Sequence, residues 1–234
     1  MPGQDLANAA KNAGFFHDNE RYAGRVGTLD TYRNVRRAID REIAGARYLL
    51  DVGNGGVFDY DTRLVERLVG VDLFLDGTPP HLADHITLRR GDALALDERD
   101  EAYDMVLEVF LLHHLVGADT SSTLANIRRA LAEAHRVLEP GGRLVVVESC
   151  VSARAFAIER RLFGALRGLA RTPLVSHPAT LQFPGAIIAR AIGDRFGNVR
   201  TEPIAVGRWI LQFGVRWPVA LTPARPHLFT ATRV

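Results

Sequence analysis

The stretch from Arg47 to Gly56, RYLLDVGNGG, restricts this chain more than any other. Tyr48, Leu49, Leu50 and Val52 form a short apolar run, which reads as a strand. It meets glycines at 53, 55 and 56, with the carboxylate of Asp51 just ahead of the bend. Glycine lets a backbone turn sharply and approach a ligand without a Cβ in the way. A strand running into such a turn predicts an α/β sheet with a nucleotide site at its carboxyl edge.

The ligand class follows from what surrounds the turn. A dinucleotide fingerprint requires a third glycine at 58, and Phe58 stands there. Asp51 would repel a pyrophosphate and suits a cationic ligand, such as S-adenosylmethionine with its ammonium and sulfonium. A second apolar run, Leu68 to Val71, ends in Asp72, whose carboxylate can accept from two ribose hydroxyls. Asp92 follows a third strand, Ile86 to Arg90, and can face an adenine amino group.

In order, Asp51-x-Gly53-x-Gly55, Asp72, Gly91-Asp92, Tyr103-Asp104 through His113-His114-Leu115 and Leu138-Glu-Pro-Gly-Gly142 resemble the motifs of class I S-adenosylmethionine-dependent methyltransferases, in their small-molecule branch. The resemblance covers about residues 47–149. It implies a doubly wound, mostly parallel seven-stranded Rossmann-like sheet with an antiparallel edge hairpin. It implies S-adenosyl-L-methionine as cofactor, held by Asp51, Gly53, Asn54, Gly55, Asp72, Leu73, Asp92 and Ala93. It also implies an N-terminal helical lid over residues 1–45, from which Tyr22, Arg25 and Tyr32 can reach ligand.

At 234 residues the chain reads as one domain, with an inserted helical lid at 150–185. No apolar run is long enough for a bilayer, and Met-Pro-Gly-Gln-Asp lacks a signal pattern. The single cysteine, Cys150, fits a cytoplasmic location and reads as a buried small hydrophobe. Lys11 is the only lysine, and the arginines are spread over every element. A nucleic-acid site would gather them in a stripe with aromatics, so none is expected. His81, Asp84 and His85 sit in a proline-broken loop without further ligands, so no metal is expected.

Along the chain, a helix from Asp30 or Thr31 to Ile43 keeps Tyr32, Val35, Ile39 and Ile43 on one face and stops at Gly45. Only 21 positions separate Asp51 from Asp72, which leaves a first crossover helix of about two turns. Gly77, Pro79 and Pro80 break the next crossover. Tyr103 to Phe110 and Arg143 to Glu148 read as buried parallel strands around a helix at 123–138, capped by Ser121 or Ser122. Residues 152–171 form a basic amphipathic helix, with Phe156, Phe163, Leu166 and Leu169 set against Arg154, Arg160, Arg161 and Arg167. It reads as a lid helix, with a membrane-surface contact the less favoured alternative. Pro184 opens another helix that Gly197 ends. The long connection from Gly207 to Pro226 carries Trp209, Phe213 and Trp217, a candidate surface for a homodimer.

Methyl transfer to a hydroxyl needs a proton acceptor beside the methyl group. His113 and His114 follow the fourth strand and Glu148 ends the fifth, so these three are the candidate catalytic residues, with His177 a weaker fourth. The expected function is methyl transfer to an oxygen of a sugar, phenol or polyketide-type metabolite. A nicotinamide-dependent oxidoreductase and a non-catalytic cofactor-binding partner protein are the alternatives.

Overall fold

The computed structural model describes residues 29–75, 82–170, 172, 178–212 and 215–234. Tyr22, Arg25, His81, His177 and Phe213 lie outside them. Seven strands form one sheet: β1 (Tyr48–Val52), β2 (Arg67–Asp72), β3 (Ile86–Arg90), β4 (Tyr103–Val109), β5 (Leu138–Cys150), β6 (Gly197–Pro203) and β9 (Arg225–Thr232). Their order is β3-β2-β1-β4-β5-β9-β6. The first five run parallel, and β9 pairs antiparallel with both β5 and β6. β7 (Trp209–Gln212) and β8 (Val215–Pro218) make a separate hairpin. This is a doubly wound, mostly parallel Rossmann-like sheet, with the antiparallel strand near one edge.

Each side of the sheet buries its own core. On one side, α2 (Thr120–Val137) and α4 (Gly185–Gly193) pack Ile127, Leu131, Ile188 and Ile192 against Leu50, Val106, Leu144 and Val146. On the other, α1 (Asp30–Ile43) lays Val35, Ile39 and Ile43 against Leu49, Leu107 and Val145. Ile39 and Ile43 are wholly buried, worth about 2 kcal/mol each in apolar area removed from water. α1 ends where Gly45 takes a φ of +83°.

Four local expectations need correction. The first crossover contains no α-helix, only a 3-10 turn at Thr62–Leu64. Phe58, Tyr60 and Val65 cover the core there from an extended chain, and β2 starts too soon after Leu64 for two turns. The cap of α2 is Asp119: its Oδ1 accepts from the Ser122 amide at 2.7 Å, and Ser122 Oγ accepts from the Asp119 amide at 2.9 Å. α4 ends at Gly193 with Asp194 as its cap, and Gly197 already belongs to β6. Finally, α3 (Ala153–Ala170) buries Phe163 but leaves Leu166 and Leu169 exposed. Its apolar residues exceed what one packed face can take.

The hairpin is tied to α1. Trp209 O accepts from Thr31 Oγ1 at 2.7 Å, and Leu211 O accepts from Tyr32 Oη at 3.1 Å. Tyr32 also sets its ring against Phe110 at the tip of β4. It thus packs the hairpin down over the sheet's carboxyl edge.

Candidate active site

Three acids lie at the carboxyl ends of three neighbouring strands. Asp51, in β1, is buried; its Oδ2 accepts from Tyr60 Oη at 2.6 Å and from Asn54 Nδ2 at 3.3 Å. Its Oδ1 is buried with no hydrogen-bond partner among the described residues. Burial pushes this carboxyl up to about 7, helped by the charges of Asp72 and Asp59 and opposed by the Tyr60 and Asn54 hydrogen bonds. A buried carboxylate with an orphaned oxygen fits a cationic donor there.

Asp72 ends β2. Its Oδ2 accepts from the Gly55 amide at 2.9 Å and its Oδ1 from the Phe74 amide at 2.8 Å. Burial raises its pKa, and these two backbone donors pull it back. Each oxygen keeps a lone pair for a further donor. Leu73 holds Arg90 through its carbonyl, 3.1 Å from Arg90 Nε. Asp92, two residues beyond β3, turns its Oδ1 to the Leu94 amide at 2.9 Å. Ala93 packs against the core beside it.

The glycine turn packs between these acids. Gly53 has a φ of +81° and donates its amide to Val71 O at 2.7 Å. A Cβ on Gly53 would stand 2.6 Å from Leu111 Cδ1. Asn54 is held at both ends: its Oδ1 accepts from the Gly56 amide and its Nδ2 reaches Asp51, over a Gly70 that has no room for a Cβ. Asn54 therefore shapes the turn from within.

Leu111 leads into the second cluster. Just past β4, Phe110 takes a φ of +53°, a left-handed conformation that non-glycine residues adopt at a cost of about 1 kcal/mol. The chain then enters a 3-10 turn over Leu112–His114. His113 Nδ1 lies 2.6 Å from Glu148 Oε1, and the His113 amide donates to Glu148 Oε2 at 3.2 Å. The Ser149 amide donates to Glu148 Oε1 at 2.5 Å. An ionised carboxylate only accepts, so the Nδ1 proton sits on the histidine and Nε2 is left as the basic nitrogen. His114 packs its ring 4.2 Å from that of His113. Opposite, Leu181 donates its amide to His113 O, and Gln182 Nε2 donates to Ser149 Oγ at 2.9 Å. The structure thus brings His113 and Glu148 together and places His114 alongside.

Sequence reasoning missed several members of this region. Tyr60 and Gln182 lie in loops without a motif. Glu159, on α3, is turned inward, where its Oε1 accepts from the Gln182 amide at 3.3 Å. Glu108 is the one acid in the apolar stretch from Met105 to Phe110, paired in register with Val52 and Val146. It is buried, its Oε2 has no partner among the described residues, and burial with the nearby Glu148 charge pushes it up to about 8. That isolated acid was the one available signal. Cys150 is buried and its thiol is pushed up by burial and by Glu148, so it stays protonated. His85 Nε2 meets the Thr62 carbonyl at 3.0 Å, and the described residues hold no group of three candidate metal ligands. A cleft of about 700 Å³ around Arg41, Arg143 and Arg200 opens at the opposite edge of the sheet, where Arg41 and Arg143 are tied to Glu202 and Glu42.

Residues 50–146 match the family model described as a methyltransferase domain. A demethylmenaquinone methyltransferase of Thermus thermophilus is 34% identical over 125 residues, covering 48% of this chain and 52% of that protein. A ubiquinone/menaquinone biosynthesis C-methyltransferase of Paracoccus denitrificans is 34% identical over 115 residues, 44% of this chain and 42% of that one. The chain thus spans about half the length of the curated relatives it matches. Among solved structures, a SAM-dependent methyltransferase of Thermotoga maritima superimposes with a TM-score of 0.60 at 15% identity, covering 96% of this chain and 99% of that one. The match runs through the sheet's first five strands and the acid-and-glycine edge: residues 50–146 are similar to a methyltransferase domain, and the chain has the fold of a SAM-dependent methyltransferase.

Proposed function

We propose that this chain methylates a small molecule at an acidic hydroxyl, of the phenol or polyketide type, and that His113 is the base. The observation that carries the reading is the His113–Glu148 pair, set one turn beyond the Leu111 that packs on the glycine turn. When bound, S-adenosylmethionine supplies a methyl group already activated on a sulfonium. Asp51, through its orphaned oxygen, would hold the cationic part of that cofactor. Asp72 would take the ribose hydroxyls and Asp92 the adenine amino group, with Leu73 and Ala93 flanking the base. Gly53, Asn54 and Gly55 would let the backbone come close.

The remaining work falls to His113. Its Nε2 removes the acceptor's hydroxyl proton, and Glu148 steadies the imidazolium that results. An imidazole base deprotonates an acidic hydroxyl such as a phenol or enol far more readily than a sugar alcohol, which favours the acidic acceptor. The described part of residues 150–185 borders this pair through Leu181 and Gln182, and we assign it the acceptor side of the site. Cytoplasmic chemistry suits the free thiol of Cys150.

A second reading shares the proton transfer and differs in the acceptor atom. The Paracoccus relative is named a C-methyltransferase, and ionising a phenol also activates its neighbouring ring carbon. Incubation with methyl donor and a panel of phenols, enols and sugars, with S-adenosylhomocysteine as readout, tests the activity. Carbon-13 methyl transfer read by NMR separates an O-methyl from a C-methyl product. An absence of measurable affinity for the methyl donor by calorimetry would sink both readings.

A further inference from the structure

We propose that α3 docks this protein onto an anionic lipid bilayer. The helix packs inward through Phe163 and Ala170, with Phe156 set 5.1 Å from Phe183. Its outward face is apolar. Ile158 is 62% exposed, Leu162 51%, Leu166 45% and Leu169 49%. Their spacing of four, four and three residues puts them on one stripe, about 17 Å long at the helical rise. Single exposed apolar residues are ordinary, but a contiguous row on one element marks a contact surface.

The charges select the occupant. Arg154, Arg160 and Arg161 are exposed, and at 100° per residue Arg154 and Arg161 border the stripe. Arg167 is half-buried and donates to Gly117 O at 3.3 Å. The helix has a single acid, Glu159, and it is turned inward onto the Gln182 amide. The outward face is therefore apolar with a cationic border along one flank, while Glu159 on the other flank is turned away onto Gln182. A second copy would set two arginine borders together with no acid from either helix between them. An anionic bilayer satisfies both parts: the aliphatic side chains enter the interface and the arginines reach the phosphates. Among the described residues no helix is long and apolar enough to cross a membrane, so α3 would lie on the surface.

The fold places a second apolar group at the same edge. Cys150, which leads into α3, pairs with Arg225, and Pro203 with His227. The segment between Pro203 and Arg225 therefore returns to the carboxyl edge, and it exposes Trp217 and Leu221. Docking by α3 turns towards the lipid the edge that holds His113 and Glu148. The proposal rests on the helix and not on which acceptor is methylated.

Co-sedimentation of the full chain with vesicles is the test. One set is phosphatidylcholine alone, the other about one-third phosphatidylglycerol. The expected result is binding to the anionic set that weakens with salt. Leu162→Glu with Leu166→Glu should abolish it. Each arginine of Arg154 and Arg161 changed to Glu should cost at least about fivefold in partition. All four positions are on the solvent side, so thermal melting and methyl-donor affinity should stay unchanged, which separates this test from that of the activity. No sedimentation with anionic vesicles would overturn the proposal. So would equal binding to both vesicle sets, or a soluble dimer that the double leucine variant dissolves.

Discussion

His113 and Glu148 meet twice: ring nitrogen Nδ1 is 2.6 Å from one carboxylate oxygen, and the backbone amide is 3.2 Å from the other. The second bond fixes where the ring can sit, because it holds the residue's own backbone to the same carboxylate. Glu148 therefore sets both the tautomer and the position of the proposed base. His113→Ala should lower turnover by about 10²–10³-fold while leaving methyl-donor affinity near that of the parent. Glu148→Gln keeps the shape and removes the charge, and should cost a smaller factor with a changed pH profile. A drop in donor affinity equal to the loss of turnover would make the pair structural.

The role proposed for Asp51 predicts that cofactor binding depends on pH. Its carboxyl, pushed up to about 7 by burial, is largely protonated below that pH. A cationic ligand binds the ionised form, so binding must expel the proton. Affinity should then fall about tenfold per pH unit below 7 and level off above it. Calorimetry in buffers of different ionisation enthalpy should also show proton release near pH 6.5. A flat affinity from pH 5.5 to 8 would remove Asp51 from the cationic end of the ligand.

Much of this arrangement was readable in the chain. β1, β4 and β5 are apolar runs bounded by glycine or polar residues, and the acids at 51, 72 and 92 fall one per strand end. Such features depend only on neighbours in sequence. The 3-10 turn at Thr62–Leu64 was not readable, because Phe58, Tyr60 and Val65 cover the core without a helical period. Nor was the engagement of Asn54 with Asp51, which depends on the space above Gly70 in another strand. On α3 the apolar pattern was plain in sequence. Which half of it meets the protein was decided by Phe183 and its neighbours, far along the chain.

Glu108 predicts a stability that changes with pH. Its folded pKa, about 8, stands above its unfolded value of 4.5. Below pH 4.5 both states are protonated and the group contributes no difference. Between 4.5 and 8 the unfolded chain releases a proton that the folded chain keeps, so stability falls as pH rises, and the loss is complete above 8. Glu108→Gln lacks this slope. Its melting temperature should gain on the parent steadily from pH 5 to 8, and parallel melting curves across that range would contradict the assignment.

Gly53→Ala tests the link between the glycine turn and the proposed base. The backbone at φ +81° costs an alanine about 1–2 kcal/mol, and its Cβ would need Leu111 to move. His113 is two residues further on, so the displacement should reach the His113–Glu148 pair. Turnover at saturating donor should fall as well as donor affinity. A variant that loses affinity alone would show that Leu111 yields without moving His113.

Tyr60→Phe isolates one contribution to the Asp51 equilibrium. The phenol donates to Asp51 Oδ2 at 2.6 Å and favours the carboxylate, against the burial that opposes it. Removing only the hydroxyl leaves the ring packed edge-on with Phe58. The Asp51 pKa should rise, and the pH at which donor affinity levels off should move upward with it, by about one unit for a hydrogen bond to a charged group. Affinity well above that new midpoint should approach the parent's. Titrations of both proteins from pH 6 to 9 would show it, and coincident midpoints would mean that Tyr60 anchors the loop without tuning the acid.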